Sequence, residues 1–591
     1  MSRNNELEGR TFNRRSLLTW GAAASATASL GGCDGAGQAT EEAAASGAAA
    51  LEGGDAHIVE TSIEDLQRAM TERRLSAEEL VEHYLDRIRR IDRGGPAINS
   101  VLELNPDARS IAKQLDRERR EHGARGPLHG IPVLLKGNID TGDRMSSTAG
   151  SLALFGAPAS RDATVAARLR AAGAVILGKT NLSEFANFRS THSTSGWSGQ
   201  GGQTRNPYII DRNPCWSSSG SGASVAASLC AAGLGTETDG SIVCPASLNG
   251  VVGIKPTVGL TSRAGVVPIS HVQDTVGPHG RTVADAAALL GVLTGVDPRD
   301  PQTAASAGRS FTDYTQFVNP DGLRGARIGV MRNTFTGYSD ATDAVFEANI
   351  AAIRAAGAIV IDPADLPTAD TLTTDPSETT VLVFDFKRDL NAYLATRTGI
   401  PARTLADVIA FNNANADKEM PFFLQELLEL AESDPFTQAD YDAALARCKQ
   451  LGATDGIDAV MNQFNLDALI APTSSPAWPT DLVNGDHFLG GSSGPAAIAG
   501  YPIVQVPAGF AFGLPLGLSF IGRAYSEPTL IRLASGFEHV TGARQAPRFE
   551  VTLPFDPDAA KNAATKSPRA TLARILGAPA LTPPRRRPLG L

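Results

Sequence analysis

Between Asn213 and Thr257 the chain sets two loops of glycine, serine and threonine on either side of an apolar segment. The first loop reads Ser217-Ser218-Ser219-Gly220-Ser221-Gly222 and the second Gly235-Thr236-Glu237-Thr238-Asp239-Gly240-Ser241. Runs of this composition are flexible linkers when low-complexity sequence surrounds them. Here the first run leads straight into the helix-like segment Ala223–Ala232, and the second loop follows at once. A linker has no use for an apolar helix between its halves. Both loops therefore belong to a folded body, where they bring hydroxyls and backbone N–H groups together. The 591 residues suffice to bury a large core, and 42% hydrophobic with 20% charged residues is the composition of a soluble globular protein.

Short apolar runs alternate with helical patterns along that body. Ile131–Leu135 reads as a buried strand, Ala163–Ala172 as a helix and Ala174–Leu177 as the next strand. Strand-like Ala326–Val330 and Ala358–Ile361 flank the helical segment Ala341–Ala356, and further strand runs fall at Ala468–Ala471, Ile503–Val506 and Leu518–Ile521. Leu66, Met70, Leu75, Leu80, Tyr84, Leu85 and Ile88 are spaced as two amphipathic helices, with Ser76, Glu78 and Glu79 at the start of the second. This alternation predicts an α/β fold on a largely parallel or mixed sheet. Residues 365–460 are more helical and charged, and are read as a cap or insertion over a substrate channel.

The ends of the chain differ from the body. Asn13-Arg14-Arg15-Ser16-Leu17-Leu18 looks like a twin-arginine export motif, followed by a modest apolar stretch from Trp20 to Leu30. Leu30-Gly31-Gly32-Cys33 then resembles a lipobox, with Cys33 as the lipidated residue. The stretch is too short and too rich in Gly, Ser and Thr for a membrane-crossing helix. The expectation is an exported lipoprotein, its signal in residues 1–33, anchored in a membrane through Cys33 and facing the periplasm or cell exterior. Residues 34–55 read as a tether, 56–555 as the folded domain and 556–591 as a disordered tail. A net charge of -10 excludes a general nucleic-acid binder. Cys215, Cys230, Cys244 and Cys448 lack metal-ligand spacing and read as small buried residues. An extracytoplasmic location permits a disulfide, and the spacing leaves its formation open.

A serine hydroxyl attacks a carbonyl only with a base in reach. A lysine can serve when burial against apolar walls disfavours its ammonium form. Lys136 ends the apolar segment Gly130-Ile131-Pro132-Val133-Leu134-Leu135-Lys136 and is placed for that role. With the two serine loops and the close Gly250-Val251-Val252-Gly253-Ile254-Lys255-Pro256-Thr257, this constellation resembles the amidase signature family. The likeness runs over roughly residues 60–550 and extends to Leu469-Ile470-Ala471-Pro472-Thr473 and Gly500-Tyr501-Pro502. It implies the amidase signature fold, a central mixed β-sheet surrounded by helices. It also implies Ser241 as nucleophile, Lys136 as base and Ser217, 24 residues before Ser241, as a bridging serine after a cis peptide bond. Backbone N–H groups of Thr238, Asp239, Gly240 and Ser241 would form the oxyanion hole. The implied partners are a small-molecule or peptide amide and water, and the chemistry calls for no metal or cofactor.

Glu237 and Asp239 depart from the usual Asp and Gly of the second loop. With Asn181-Leu182-Ser183-Glu184-Phe185-Ala186-Asn187-Phe188-Arg189 and Ser195-Gly196-Trp197-Ser198, they resemble the bacterial peptide amidase branch, whose members remove C-terminal peptide amides. Trp216 stands where glycine commonly precedes the bridging serine, and either narrows the acyl pocket or compromises the relay. Fatty or aryl amides and esters are the alternative substrates, and an inactive amidase-like binding lipoprotein is the alternative to an enzyme. An amidotransferase-type relative is disfavoured by the export signal. Gly490-Gly491-Ser492-Ser493-Gly494 fits the nucleophile elbow of α/β-hydrolases, but no strand precedes it and no acid-then-histidine order suits it.

Overall fold

The computed structural model describes residues 58–553, so the expected signal, Cys33, the tether and the tail lie outside the described residues. The strands are β1 (Val101–Leu104), β2 (Pro132–Lys136), β3 (Val175–Thr180), β4 (Trp197–Ser198), β5 (Gly202–Gln203), β6 (Ala232–Glu237) and β7 (Val252–Lys255). They continue with β8 (Thr275–Gly280), β9 (Arg327–Val330), β10 (Ile359–Ile361), β11 (Ala468–Pro472), β12 (Ile503–Ala511) and β13 (Leu514–Ile521). Eleven of them form one sheet in the order β1-β3-β2-β6-β8-β7-β12-β13-β11-β9-β10, while β4 and β5 pair as a small ribbon. The sheet is mixed: β2 runs parallel to β3 and β6, whereas β8 is antiparallel to β6 and β7. This is the large mixed sheet with helices around it that the resemblance implies.

Every residue of β2, β3 and β6 is buried. Parallel strands covered on both faces need apolar side chains on both, which is why β2 is a continuous apolar run. The first two helices are Ile63–Thr71 and Ala77–Arg87, and Ser76 closes a capping box with Glu79 at the second. Helices Val283–Leu293, Asp340–Ala355 and Glu527–Thr541 cover the β9–β11–β13–β12 half through Leu290, Ile350, Leu530 and Phe537. Residues 369–449 are dominated by the helices Ser377–Ala395, Leu405–Ala414, Glu426–Ser433 and Gln438–Lys449. Phe384 stacks on Tyr441 at 4.5 Å, and Phe386 packs on Phe188 at 4.9 Å, which ties the long helix Ser377–Ala395 to its neighbours.

The helix expected over Ala223–Ala232 lies instead at Ser219–Ala226, and Ala232 already opens β6. Ser228 adopts a left-handed φ of 51° and turns the chain before the strand. The helix starts inside the glycine-serine loop because that loop is packed, not loose. A Cβ on Gly220 would lie 2.3 Å from the Ser100 carbonyl oxygen, and one on Gly222 2.8 Å from that of Pro245. These glycines permit close backbone approach rather than flexibility.

Candidate active site

The carboxyl ends of the parallel neighbours β2 and β6 lie side by side, with Leu135 opposite Leu234. That register carries Lys136 past Gly235 to Thr236 and leaves the loop 238–241 just beyond the strand. Lys136 is fully buried. Its Nζ lies 2.7 Å from Ser217 Oγ, 2.8 Å from Thr236 Oγ1 and 3.1 Å from the Thr236 carbonyl oxygen. Asn138 Nδ2 donates to the same Thr236 hydroxyl at 3.0 Å. Burial lowers the ammonium to a pKa of about 7, with Asp274 and Glu237 exerting the opposing pull. Among the described residues no carboxylate contacts Nζ directly, so desolvation wins.

Ser217 is fully buried and follows a cis Trp216–Ser217 peptide bond. Its carbonyl accepts from Ser183 N at 3.1 Å, and the next residue donates from Ser218 N to the Ser241 carbonyl at 3.2 Å. The Ser217 loop and the Ser241 loop are thus in direct contact. A disulfide between Cys215 and Cys244 joins them covalently. Both cysteines are buried, as expected, and the disulfide that the sequence left open forms between them; Cys230 and Cys448 are free and buried. The spacing of 29 residues held no signal, because the pairing depends on two loops meeting across the sheet end.

Residues 238–241 form a tight loop in which Gly240 takes a left-handed φ of 76°. Among the described residues, the backbone N–H groups of Thr238, Asp239, Gly240 and Ser241 donate to no protein acceptor. Glu237, an unusual residue in this loop, accepts from Ile242 N at 2.7 Å and Val243 N at 3.0 Å. It closes the loop onto the short helix Val243–Leu248. Thr238 Oγ1 donates to Asp274 at 2.6 Å, and Ser493 Oγ donates to Asp239 at 2.5 Å. The Gly490–Gly494 pentamer, rejected as a nucleophile elbow, therefore packs beside this loop through Ser493. Sequence reasoning missed Asp274, which comes from a distant segment with no motif, and met Ser493 only in that rejected pentamer.

Trp216 is half-buried, and its indole meets the Phe488 ring edge-on at 4.7 Å and Trp478 at 5.9 Å. Despite its bulk, Ser217 keeps its contact with Lys136. The indole Nε1 lies 4.0 Å from where a Cβ on Gly240 would sit, so the aromatic group flanks the loop of free N–H donors. Of the remaining peptide-amidase-like residues, Glu184, Arg189, Ser195 and Trp197 are held in buried contacts. Arg189 pairs with Glu184 at 3.0 Å and lies over the rings of Trp197 and Phe423. Asp486 accepts from Ser195 N at 3.0 Å and from Trp478 Nε1 at 3.1 Å.

A buried, deprotonatable amine, a buried hydroxyl touching it and a loop of unused N–H donors form a set suited to acyl transfer. The amidase family pattern matches residues 79–531. A probable amidase of Arabidopsis thaliana is 44% identical over 499 residues, which covers 83% of this chain and 92% of that protein. The native peptide amidase from Stenotrophomonas maltophilia is 49% identical with a TM-score of 0.79, covering 83% of this chain and 99% of that one. A structure of the peptide amidase PAM with the competitive inhibitor chymostatin matches with the same identity, coverage and TM-score.

Proposed function

The chain belongs to the amidase family and is a hydrolase of carbon–nitrogen amide bonds, and from that premise we propose that it removes C-terminal amides from peptides through an acyl-Ser241 intermediate. The likeness to peptide amidases supports the substrate class. The contact that carries the mechanism is Lys136 Nζ to Ser217 Oγ at 2.7 Å. A neutral amine has two hydrogens and one lone pair. The hydrogens are matched by the carbonyl and hydroxyl oxygens of Thr236, which leaves the lone pair for the Ser217 proton.

Ser217 hands its proton to Lys136 and takes that of Ser241, whose Oγ then bonds to the amide carbon. The oxyanion receives the N–H groups of residues 238–241. When the tetrahedral intermediate collapses, the C–N bond breaks and Ser217 returns a proton to the nitrogen, which leaves as ammonia. Water adds to the ester by the same proton path, the C–O bond to Ser241 breaks and the peptide acid departs. Trp216, Phe488 and Trp478 offer an apolar wall to the residue carrying the amide. The helices of residues 365–460 act as a cap over the channel.

Ammonia release from C-terminally amidated peptides, set against fatty and aryl amides, tests this reading. Rapid release from peptide amides and none from Ser241→Ala is expected; equal turnover by Ser241→Ala sinks the assignment. We further propose twin-arginine export and a lipid anchor on Cys33. The Cys215–Cys244 disulfide supports a location outside the reducing cytoplasm. The native chain should label with palmitate and pellet with membranes, and Cys33→Ala should do neither; a soluble, unlabelled native chain contradicts the anchor.

A further inference from the structure

The segment Ser270–Asp274 stands between the loop of free N–H donors and the long helix Ser377–Ala395, bonded to both. On the loop side, Asp274 Oδ1 accepts the Thr238 hydroxyl at 2.6 Å and Gln273 Nε2 reaches the Thr238 carbonyl at 3.3 Å. Asp274 Oδ2 accepts from Ile269 N at 2.8 Å and Ser270 N at 3.1 Å, which fixes the carboxylate plane. Gln273 and Asp274 are both buried.

On the helix side, three carboxylates hold the same segment. Glu378 accepts from Gln273 Nε2 at 2.6 Å, Asp385 from Ser270 Oγ at 2.6 Å and Asp389 from His271 N at 2.8 Å. Glu378, Asp385 and Asp389 are seven and four residues apart, so they line one face of the helix. His271 Nδ1, Asp385 and Asp389 come close enough to suggest a cation site. Their oxygens already serve Ser270 and His271, so the arrangement is accounted for as a clamp.

We propose that Asp274 and Gln273 are positioning residues for the oxyanion-binding backbone, and that helix Ser377–Ala395 sets them through Glu378, Asp385 and Asp389. Among the described residues, only Thr238 connects this clamp to the donor loop by side chain and carbonyl together, and its N–H is the first of the four donors. A displaced Thr238 re-aims those donors away from the developing oxyanion, a cost felt in the transition state more than in substrate binding. The cap helix thereby sets the reactivity of the nucleophile's loop as well as the shape of the channel.

The inference rests on the peptide-amide reading for its substrate alone. Asp274→Asn keeps the shape but cannot accept from both Thr238 and the two backbone N–H groups. It should lower kcat on a peptide amide by about tenfold to a hundredfold, with KM within threefold. Thr238→Val should lower kcat similarly, and the double variant should lose no more than either alone, since both remove one contact. Glu378→Ala should lower kcat by about threefold to tenfold. Additive losses in the double variant, or an unchanged kcat in folded Asp274→Asn, would overturn the proposal. If the native enzyme turns over no peptide amide, that reading fails separately. The rates at which a serine-reactive phosphonate modifies Ser241 in the same variants then decide this one, with the same non-additive pattern expected.

Discussion

Lys136 and Arg189 are two of the buried basic side chains in the motifs by which this chain resembles amidases, and they solve burial in opposite ways. Lys136 sits among hydroxyls and a carbonyl with no carboxylate in contact, and its ammonium is held down to a pKa of about 7. Arg189 is just as buried but pairs with Glu184 at 3.0 Å, has Glu419 at 4.0 Å and lies over two aromatic rings. The difference follows from the functional groups. A lysine can shed its proton when desolvated and become a base, whereas a guanidinium cannot and must be neutralised by partners. One buried cation becomes a reagent; the other becomes a strut between the 184–199 segment and residues 419–423.

The sharpest way to break this contrast is Lys136→Arg, which restores a permanent charge at the base position. It should cost about 10⁴-fold in kcat/KM while leaving the protein folded, measured by ammonia release. Substantial activity in Lys136→Arg would mean that no neutral base is needed. Next in size is Arg189→Leu, which strands Glu184 and Glu419 and should cost about 3 kcal/mol of unfolding free energy in urea. The folded fraction should retain near-native kcat, which would show that Arg189 is structural. The smallest effect belongs to Glu184→Gln. Burial raises the Glu184 carboxyl well above its usual range against the pull of Arg189, and Glu419 stays 4.0 Å from Arg189, so an uncharged amide of the same shape should cost about 1 kcal/mol. A loss as large as that of Arg189→Leu would show a fully ionised Glu184.

The same contrast marks what could be read from the sequence. Lys136, Ser217 and Ser241 stand out as candidates because each sits in a run whose local composition is unusual, and the apolar strands β2, β3, β9, β10 and β11 are legible from their patterns. Strand β8, Thr-Val-Gly-Pro-His-Gly, carries glycine and proline where a strand signal needs branched side chains, so neighbours rather than propensity make it a strand. The displaced helix at Ser219–Ala226 arose because glycines were read as loop formers when they serve close packing. The disulfide, the Asp274–Thr238 bond and the three clamp carboxylates join segments far apart in the chain, and no local pattern announces such pairings. Within the donor loop, the carboxylate of Glu237 was seen as a departure, but its task of binding Ile242 N and Val243 N needed the folded turn.

The central claim, that neutral Lys136 activates Ser241 through Ser217, is tested most directly by the pH dependence of phosphonate modification at Ser241, mapped by mass spectrometry. Because burial lowers the Lys136 ammonium to about 7, the rate should fall about tenfold per pH unit below that point and level off above it. In Lys136→Arg the modification should be slow throughout. A rate independent of pH between 5 and 9, or one still rising toward the ordinary lysine value near 10, would contradict the account.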